Sequence, residues 1–194
     1  NSIFETDIIS VMALTDTPIC NFGWQARQFR LPDPAGIEYS VDSLFGRNGL
    51  LIAFICNHCP YVKAIAENFS SDAMKLKEID VGIAAIMPND YQAYPEDSPP
   101  KMQEFSKRYS FDFPYLIDKS QETARTYGAV CTPDFFGFNS KGELQYRGRL
   151  DNLGINRSGE RRPELLNAML TIAETGLGPV DQVASLRCSI KWQS

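Results

Sequence analysis

Two rhythms of apolar and polar positions run along the chain. Leu50–Ile55, LLIAFI, is a continuous apolar run of strand length, the pattern of a strand covered on both faces. Val81–Met87, VGIAAIM, repeats it. Between the two, Val62, Ile65, Ala66, Phe69, Ala73 and Leu76 recur at helical spacing, with Lys63, Glu67 and Lys75 off that stripe. This predicts an amphipathic helix, and Pro60 suits its first turn, where a missing N–H costs nothing.

The weaker signals extend the alternation. Phe29–Leu31 and Glu38–Val41 read as paired strands around the turn PDPAG (32–36). After the turn-rich loop PNDYQAYPEDSPP (88–100), Asp97 or Ser98 caps a helix with Pro99 in its first turn and Met102, Phe105 and Tyr109 as its stripe. Pro114–Ile117 is a short strand, and Asp118 then caps a helix to about Tyr127, with Gln121 completing a capping box. Asp134–Phe138 and Leu144–Arg149 flank the turn NSKG (139–142) as a hairpin. Pro163 opens a last helix with Leu166, Met169, Leu170 and Ala173 inward and Gly176 near its end. The tail from Gly178 has no clear period. No repeat, low-complexity tract or linker interrupts the order, so the expectation is one α/β domain over 1–194, with a core of about 24–177 and a tail of 178–194.

Composition narrows the class. Hydrophobic residues make up 43% of 194, enough for a core without disulfide staples. The net charge of −5 argues against a nucleic-acid partner, and no basic amphipathic helix or long apolar run points to a membrane. Arg157, Arg161 and Arg162 form the only basic cluster, read as a solvated loop. The acidic, interrupted N-terminus, NSIFETDIISVMALTDTPIC, is not a secretory signal. Five cysteines in a chain of this size suggest functional thiols in a reducing, cytoplasmic compartment.

The chemistry concentrates at CNHCPYVKA (56–64), where Cys56 and Cys59 bracket the only histidine, His58. A central strand running into C-x-x-C at a helix start is a redox-dithiol signal. An ordinary cysteine is only about 3% thiolate at pH 7, and lowering its pKa to about 6.5 raises that to roughly 75%. The helix N-terminus supplies N–H groups and the positive dipole end that favour the anion. Cys56, at the junction, is expected to be the exposed attacker, and Cys59, one turn on, the resolving thiol. His58 can stabilise the thiolate as a cation or by hydrogen bonding, which predicts a potential above that of thioredoxin, in a band of roughly −230 to −150 mV. The alternative is a solvent-facing histidine of mild effect. A structural zinc site normally uses four ligands. One C-x-x-C, one histidine and the isolated Cys20, Cys131 and Cys188 supply them poorly, so no metal is expected. A cluster bridging two subunits, or plain burial of both thiols, stays open.

A second segment, GAVCTPDFF (128–136), precedes the hairpin. Together with ND…AYPEDSP (89–99), FPYLID…Q (113–121), YRGRLDN (146–152) and CSIKW (188–192), these motifs resemble the thioredoxin superfamily in its alkyl hydroperoxide reductase/thiol-specific antioxidant (redoxin) branch, and within it a bacterial group of thioredoxin-like proteins. The resemblance covers about residues 17–192. It implies a thioredoxin-like fold, a central mixed β-sheet flanked by helices with an N-terminal β-extension and a C-terminal tail, and oxidoreductase or antioxidant activity. It places Thr132–Pro133 at the cis-proline position facing the dithiol, which with Asn57, Pro60 and Cys131 makes a substrate-binding edge.

One departure matters. Peroxiredoxins carry Pro-x-x-x-Thr-x-x-Cys. Counting back from Cys59, those places hold Ile52 and Cys56; counting back from Cys56, they hold Gly49 and Ala53. Neither register has the proline or the hydroxyl, so dithiol exchange leads and thiol-dependent peroxide reduction is the alternative. Arg149 is the candidate activating arginine, against a structural salt bridge. Cys188 is a candidate resolving thiol, against a tail anchor with Ile190 and Trp192. Cys131 is a candidate third thiol, and Cys20 is expected to be inert. The buried carboxylate common in thioredoxin folds is not assignable; Asp134 follows Pro133 but is as readily exposed. The expected partners are a disulfide-containing protein or small thiol and an electron donor that the sequence does not name. No cofactor is expected beyond the Cys56–Cys59 disulfide itself.

Overall fold

The computed structural model of the protein describes residues 20–194; the reading of the first 19 residues as a non-secretory N-terminus lies outside them. In chain order, β1 (Arg30–Pro32) and β2 (Glu38–Ser40) form a hairpin. The short helix α1 (Val41–Leu44), β3 (Leu50–Phe54), the long helix α2 (Pro60–Glu78) and β4 (Gly82–Met87) follow. Next come α3 (Pro99–Arg108), β5 (Tyr115–Ile117), α4 (Glu122–Tyr127) and β6 (Cys131–Thr132). The hairpin β7 (Asp134–Phe138) and β8 (Leu144–Tyr146), α5 (Glu164–Thr175) and β9 (Cys188–Ser189) complete the order.

Five strands form the central sheet in the order β5-β4-β3-β7-β8. β3 runs parallel to β4 and β4 to β5, while β7 pairs antiparallel with both β3 and β8. The mixed sheet flanked by helices is the thioredoxin-like fold that the resemblance implies. Strand side chains alternate between two cores. Leu51, Ala53, Ile83, Ala85 and Phe135 face α2, α3 and α5 through Val62, Phe69, Met102, Leu165 and Met169. Leu50, Ile52, Phe54, Ile86 and Phe136 face the other way, onto Val41, Leu44, Ala124 and Tyr127. Cover on both sides explains why the LLIAFI run carries no polar residue. No helix among the described residues is long and apolar enough to cross a membrane.

The expected elements are present, with differences that have local causes. Val41 starts α1 instead of ending a strand, because Ser40 caps that helix by accepting from the Ser43 N–H, while Ser43 Oγ returns the bond to the Ser40 N–H. Asp118 does cap α4, accepting from the Thr123 and Ala124 N–H groups, but Gln121 makes no capping box. Its amide instead donates to the Pro88 and Lys191 carbonyls, which ties the tail to the loop after β4. Leu170 is 40% exposed; Leu165, Ala168 and Ile172 share the buried face of α5 with Leu166 and Met169.

The basic cluster is not a solvated loop. Arg157 and Arg161 both clamp the buried Asp151, and Arg161 also pairs with the buried Asp72 of α2; only Arg162 is exposed. The tail is likewise built in. Cys188 belongs to one core and Ile190 to the other. The Lys191 N–H donates to Asn89 Oδ1, and Arg125 lies over the Trp192 ring.

Candidate active site

The ladder between β3 and β4 continues one residue past β3, with the Ile55 N–H donating to the Ile86 carbonyl at 3.0 Å. The chain then turns, and Cys59 becomes the N-cap of α2 with extended φ and ψ of −67° and 121°, followed by Pro60 in the first turn. The backbone N–H groups of Tyr61 and Val62 therefore aim at the Cys59 sulfur. Across from it, β6 ends at a cis Thr132–Pro133 peptide bond. Thr132 Oγ1 lies 3.4 Å from Cys56 Sγ, and the Thr132 carbonyl lies 3.5 Å from Cys59 Sγ. The hydroxyl missing from both peroxiredoxin registers is thus supplied by a segment 76 residues away in the chain.

β9 pairs antiparallel with β6, with Thr132 opposite Cys188. This register brings Cys188 Sγ to 3.1 Å from Cys59 Sγ. Three sulfurs therefore meet. Hydrogen bonds from the Cys188 and Cys56 thiols outweigh burial and, with the α2 N–H groups, pull the Cys59 thiol down to about 3. Cys56 moves up: its hydrogen bond to Cys59 leads, followed by burial and the charge of Asp97. Cys188 is also raised, first by its hydrogen bond to Cys59. Among the three sulfurs, these contacts favour the anion on Cys59 and disfavour it on Cys56 and Cys188. Cys56 is neither the resting thiolate nor exposed, with 1% of its surface accessible.

Asp97 completes the site from below, in the 3₁₀ turn before α3, and it is fully buried. Its Oδ1 accepts from the Asn57 N–H at 2.8 Å and the His58 N–H at 3.3 Å. Its Oδ2 lies 2.6 Å from His58 Nδ1 and accepts from Asn89 Nδ2 at 2.9 Å. Of the two expected caps of α3, Ser98 holds the N-cap position, while the Asp97 carboxylate turns to the dithiol loop. The Asp97 bond raises the His58 pKa against the effect of burial, and the nearby Cys59 charge adds to it. His58 stacks on Tyr94 at an interplanar angle of 7°. It is therefore a held, partly buried imidazole and not a solvent-facing one. Cys56, His58 and Asp97 place three donor atoms within 4.8 Å of one another. Both Asp97 oxygens are already engaged twice, however, which leaves that trio poorly suited to a cation.

The remaining candidates separate clearly. Asn57 is buried; its side chain accepts from the Tyr115 hydroxyl and donates to the Glu96 carbonyl, so it braces the loop instead of meeting substrate. Pro60 is exposed at the head of α2. Pro133 lines a cavity of about 260 Å³ with Tyr61, Ile65, Arg149, Leu153 and Leu186. Arg149 makes a bidentate pair with Glu164, the structural alternative to an activating role. Burial pushes the Cys131 thiol up to about 12 despite the neighbouring Arg187, and the Cys20 thiol up to about 11. Asp134 is 1% exposed and grips Arg147 at 2.8 Å. Asp97 was the residue hidden from sequence reasoning, since nothing in PEDSPP distinguishes a cap from a carboxylate that reaches back to residue 57.

The family model described as AhpC/TSA family matches residues 22–147. The chain belongs to the AhpC/TSA family. Among proteins of known structure, it is similar to an uncharacterized conserved protein from Geobacillus kaustophilus, at 34% identity and a TM-score of 0.88 over 94% of this chain and 97% of that one. A hypothetical protein from Sinorhizobium meliloti 1021 gives 33% identity and a TM-score of 0.88 over 94% of this chain and 100% of that one. The thiol-disulfide oxidoreductase ResA of Halalkalibacterium halodurans is 29% identical over 129 residues, 66% of this chain and 69% of that protein. The matched AhpC/TSA region includes the dithiol and the cis-proline but ends before β9 and Cys188.

Proposed function

We propose that the protein is a thiol–disulfide oxidoreductase that exchanges its Cys56/Cys59 dithiol with a disulfide-containing protein or small disulfide in a reducing, cytoplasmic compartment. The observation that carries this reading is the Cys56/Cys59 pair at the head of α2, with Thr132 of the cis Thr132–Pro133 bond 3.4 Å from Cys56 Sγ and 3.5 Å from Cys59 Sγ. Cys56 gives its proton to Cys59 as it attacks the substrate disulfide. The first substrate sulfur leaves as a thiolate and takes that proton. Cys59, ionised again, attacks Cys56 Sγ and releases the second substrate thiolate. One substrate disulfide is reduced and one Cys56–Cys59 disulfide is formed. A separate thiol donor restores the dithiol. The cavity lined by Pro133 and Tyr61 offers the substrate chain a partly apolar wall.

Peroxide reduction is less well supported. The Cys56 thiol is raised instead of lowered, and Arg149 is committed to Glu164. The deciding test compares insulin-disulfide reduction by wild type and by Cys56→Ser, which is expected to fall to background. Retained activity in the variant overturns the reading. One equivalent of hydrogen peroxide, quenched after about one second by alkylation, is expected to leave the thiols free; immediate disulfide formation would favour the peroxidase.

A further inference from the structure

Cys188 lies 129 residues from Cys59, outside the C-x-x-C and beyond the segment matched by the family. Its position is closely built. Thr132, opposite it in the β6–β9 pair, is the same residue that contacts Cys56. On either side, Arg187 is buried next to Cys131 and Asp134, and the Ile190 N–H donates to the Val130 carbonyl at 2.9 Å. The tail thus delivers a third sulfur to 3.1 Å from Cys59 and keeps it 2% exposed. A disulfide bond is about 2.05 Å long, so joining the two sulfurs needs a movement of about 1 Å.

We propose that Cys188 is a third exchanging thiol, which attacks Cys59 Sγ of the Cys56–Cys59 disulfide to form Cys59–Cys188 and release Cys56. The inference rests on the exchange reading above. One S–S bond breaks and one forms, so no external oxidant or reductant is needed. The Cys188 proton passes to the departing Cys56 sulfur. Cys188 touches Cys59, so it acts on the internal disulfide. The result moves oxidation to the back of the site and leaves Cys56 as a free thiol beside Thr132–Pro133. With Cys59 occupied, a new mixed disulfide on Cys56 is not resolved until Cys188 is displaced.

The test uses oxidised glutathione as the disulfide. Reduced full-length protein receives one equivalent, is quenched with acid and alkylated, and is digested with trypsin. Cleavage after Arg47, Lys63, Arg187 and Lys191 places Cys56 and Cys59 in peptide 48–63 and Cys188 in peptide 188–191. Wild type is expected to yield both the internal disulfide and a cross-link between the two peptides. Cys56→Ser, which cannot form the internal disulfide, is expected to yield neither product, and Cys188→Ser to keep the internal disulfide and lose the cross-link. An internal disulfide in wild type with no cross-link, or a cross-link formed in Cys56→Ser, overturns the relay alone. If glutathione leaves every thiol free, the exchange reading falls with it.

Discussion

Asp97 shows how one side chain sets the chemistry of several others. Buried and negative, it holds the Asn57 and His58 backbone and the His58 ring, and its charge works against ionisation of Cys56. That charge helps to keep the thiolate on Cys59, the sulfur that the α2 N–H groups can serve. Asp97→Asn preserves the shape but turns an N–H₂ toward donors that need an acceptor. The expected cost is about 1–3 kcal/mol in chemical denaturation. The same variant is expected to move the onset of Cys56 alkylation to lower pH, because a neighbouring negative charge has been removed. An onset that stays in place would show that Asp97 braces the loop without tuning the thiol.

At the scale of elements, β9 and the β7–β8 hairpin are held by buried polar groups as much as by apolar surface. Asp134, first residue of β7, grips Arg147 just past β8; Arg147 also donates to the Gly128 carbonyl and lies over the Phe136 ring. Gln182 accepts from the Arg147 N–H and donates to the Gln145 carbonyl, so the tail is fastened to the same strand end. Arg147→Met leaves the Asp134 carboxylate buried without its main partner. The expected loss is about 3–5 kcal/mol in urea unfolding, and Asp134→Asn added to it should recover part of that loss. A loss under about 1 kcal/mol would mean that water or Arg187 takes over the charge.

For the whole molecule, the His58–Asp97 pair links folding to pH. The His58 pKa is raised above its ordinary 6.5 on folding. A raised value means that the folded state holds the proton more tightly, so the contribution is complete below about pH 6.5 and is lost as pH rises through the folded value. Unfolding free energies of wild type and His58→Gln, compared from pH 5 to 9, should differ most at the acidic end and converge toward the basic end. A difference that is flat or widens with pH would show that His58 is neutral in the folded protein.

Much of this architecture is legible in residue order. LLIAFI and VGIAAIM are apolar throughout because helices cover both faces of β3 and β4, and the stripe from Val62 to Leu76 matches the buried face of α2. The C-x-x-C at a helix head, with Pro60 after it, depends only on neighbours a few residues apart. So do the hairpin around residues 139–142 and the Asp118 cap. Local periodicity and turn chemistry carry that information, since the interacting groups lie close in the chain. Tertiary structure alone decided the rest. The Asp97 carboxylate reaches 39 residues back to His58 instead of capping α3. Thr132 lends its hydroxyl to Cys56 across 76 residues, and an aperiodic tail returns as β9 to set Cys188 beside Cys59 across 129. These contacts leave no period in the sequence, because each depends on where distant backbones meet. For the same reason the motif itself does not reveal which sulfur holds the charge: that follows from the thiols, N–H groups and carboxylate that the fold brings around it.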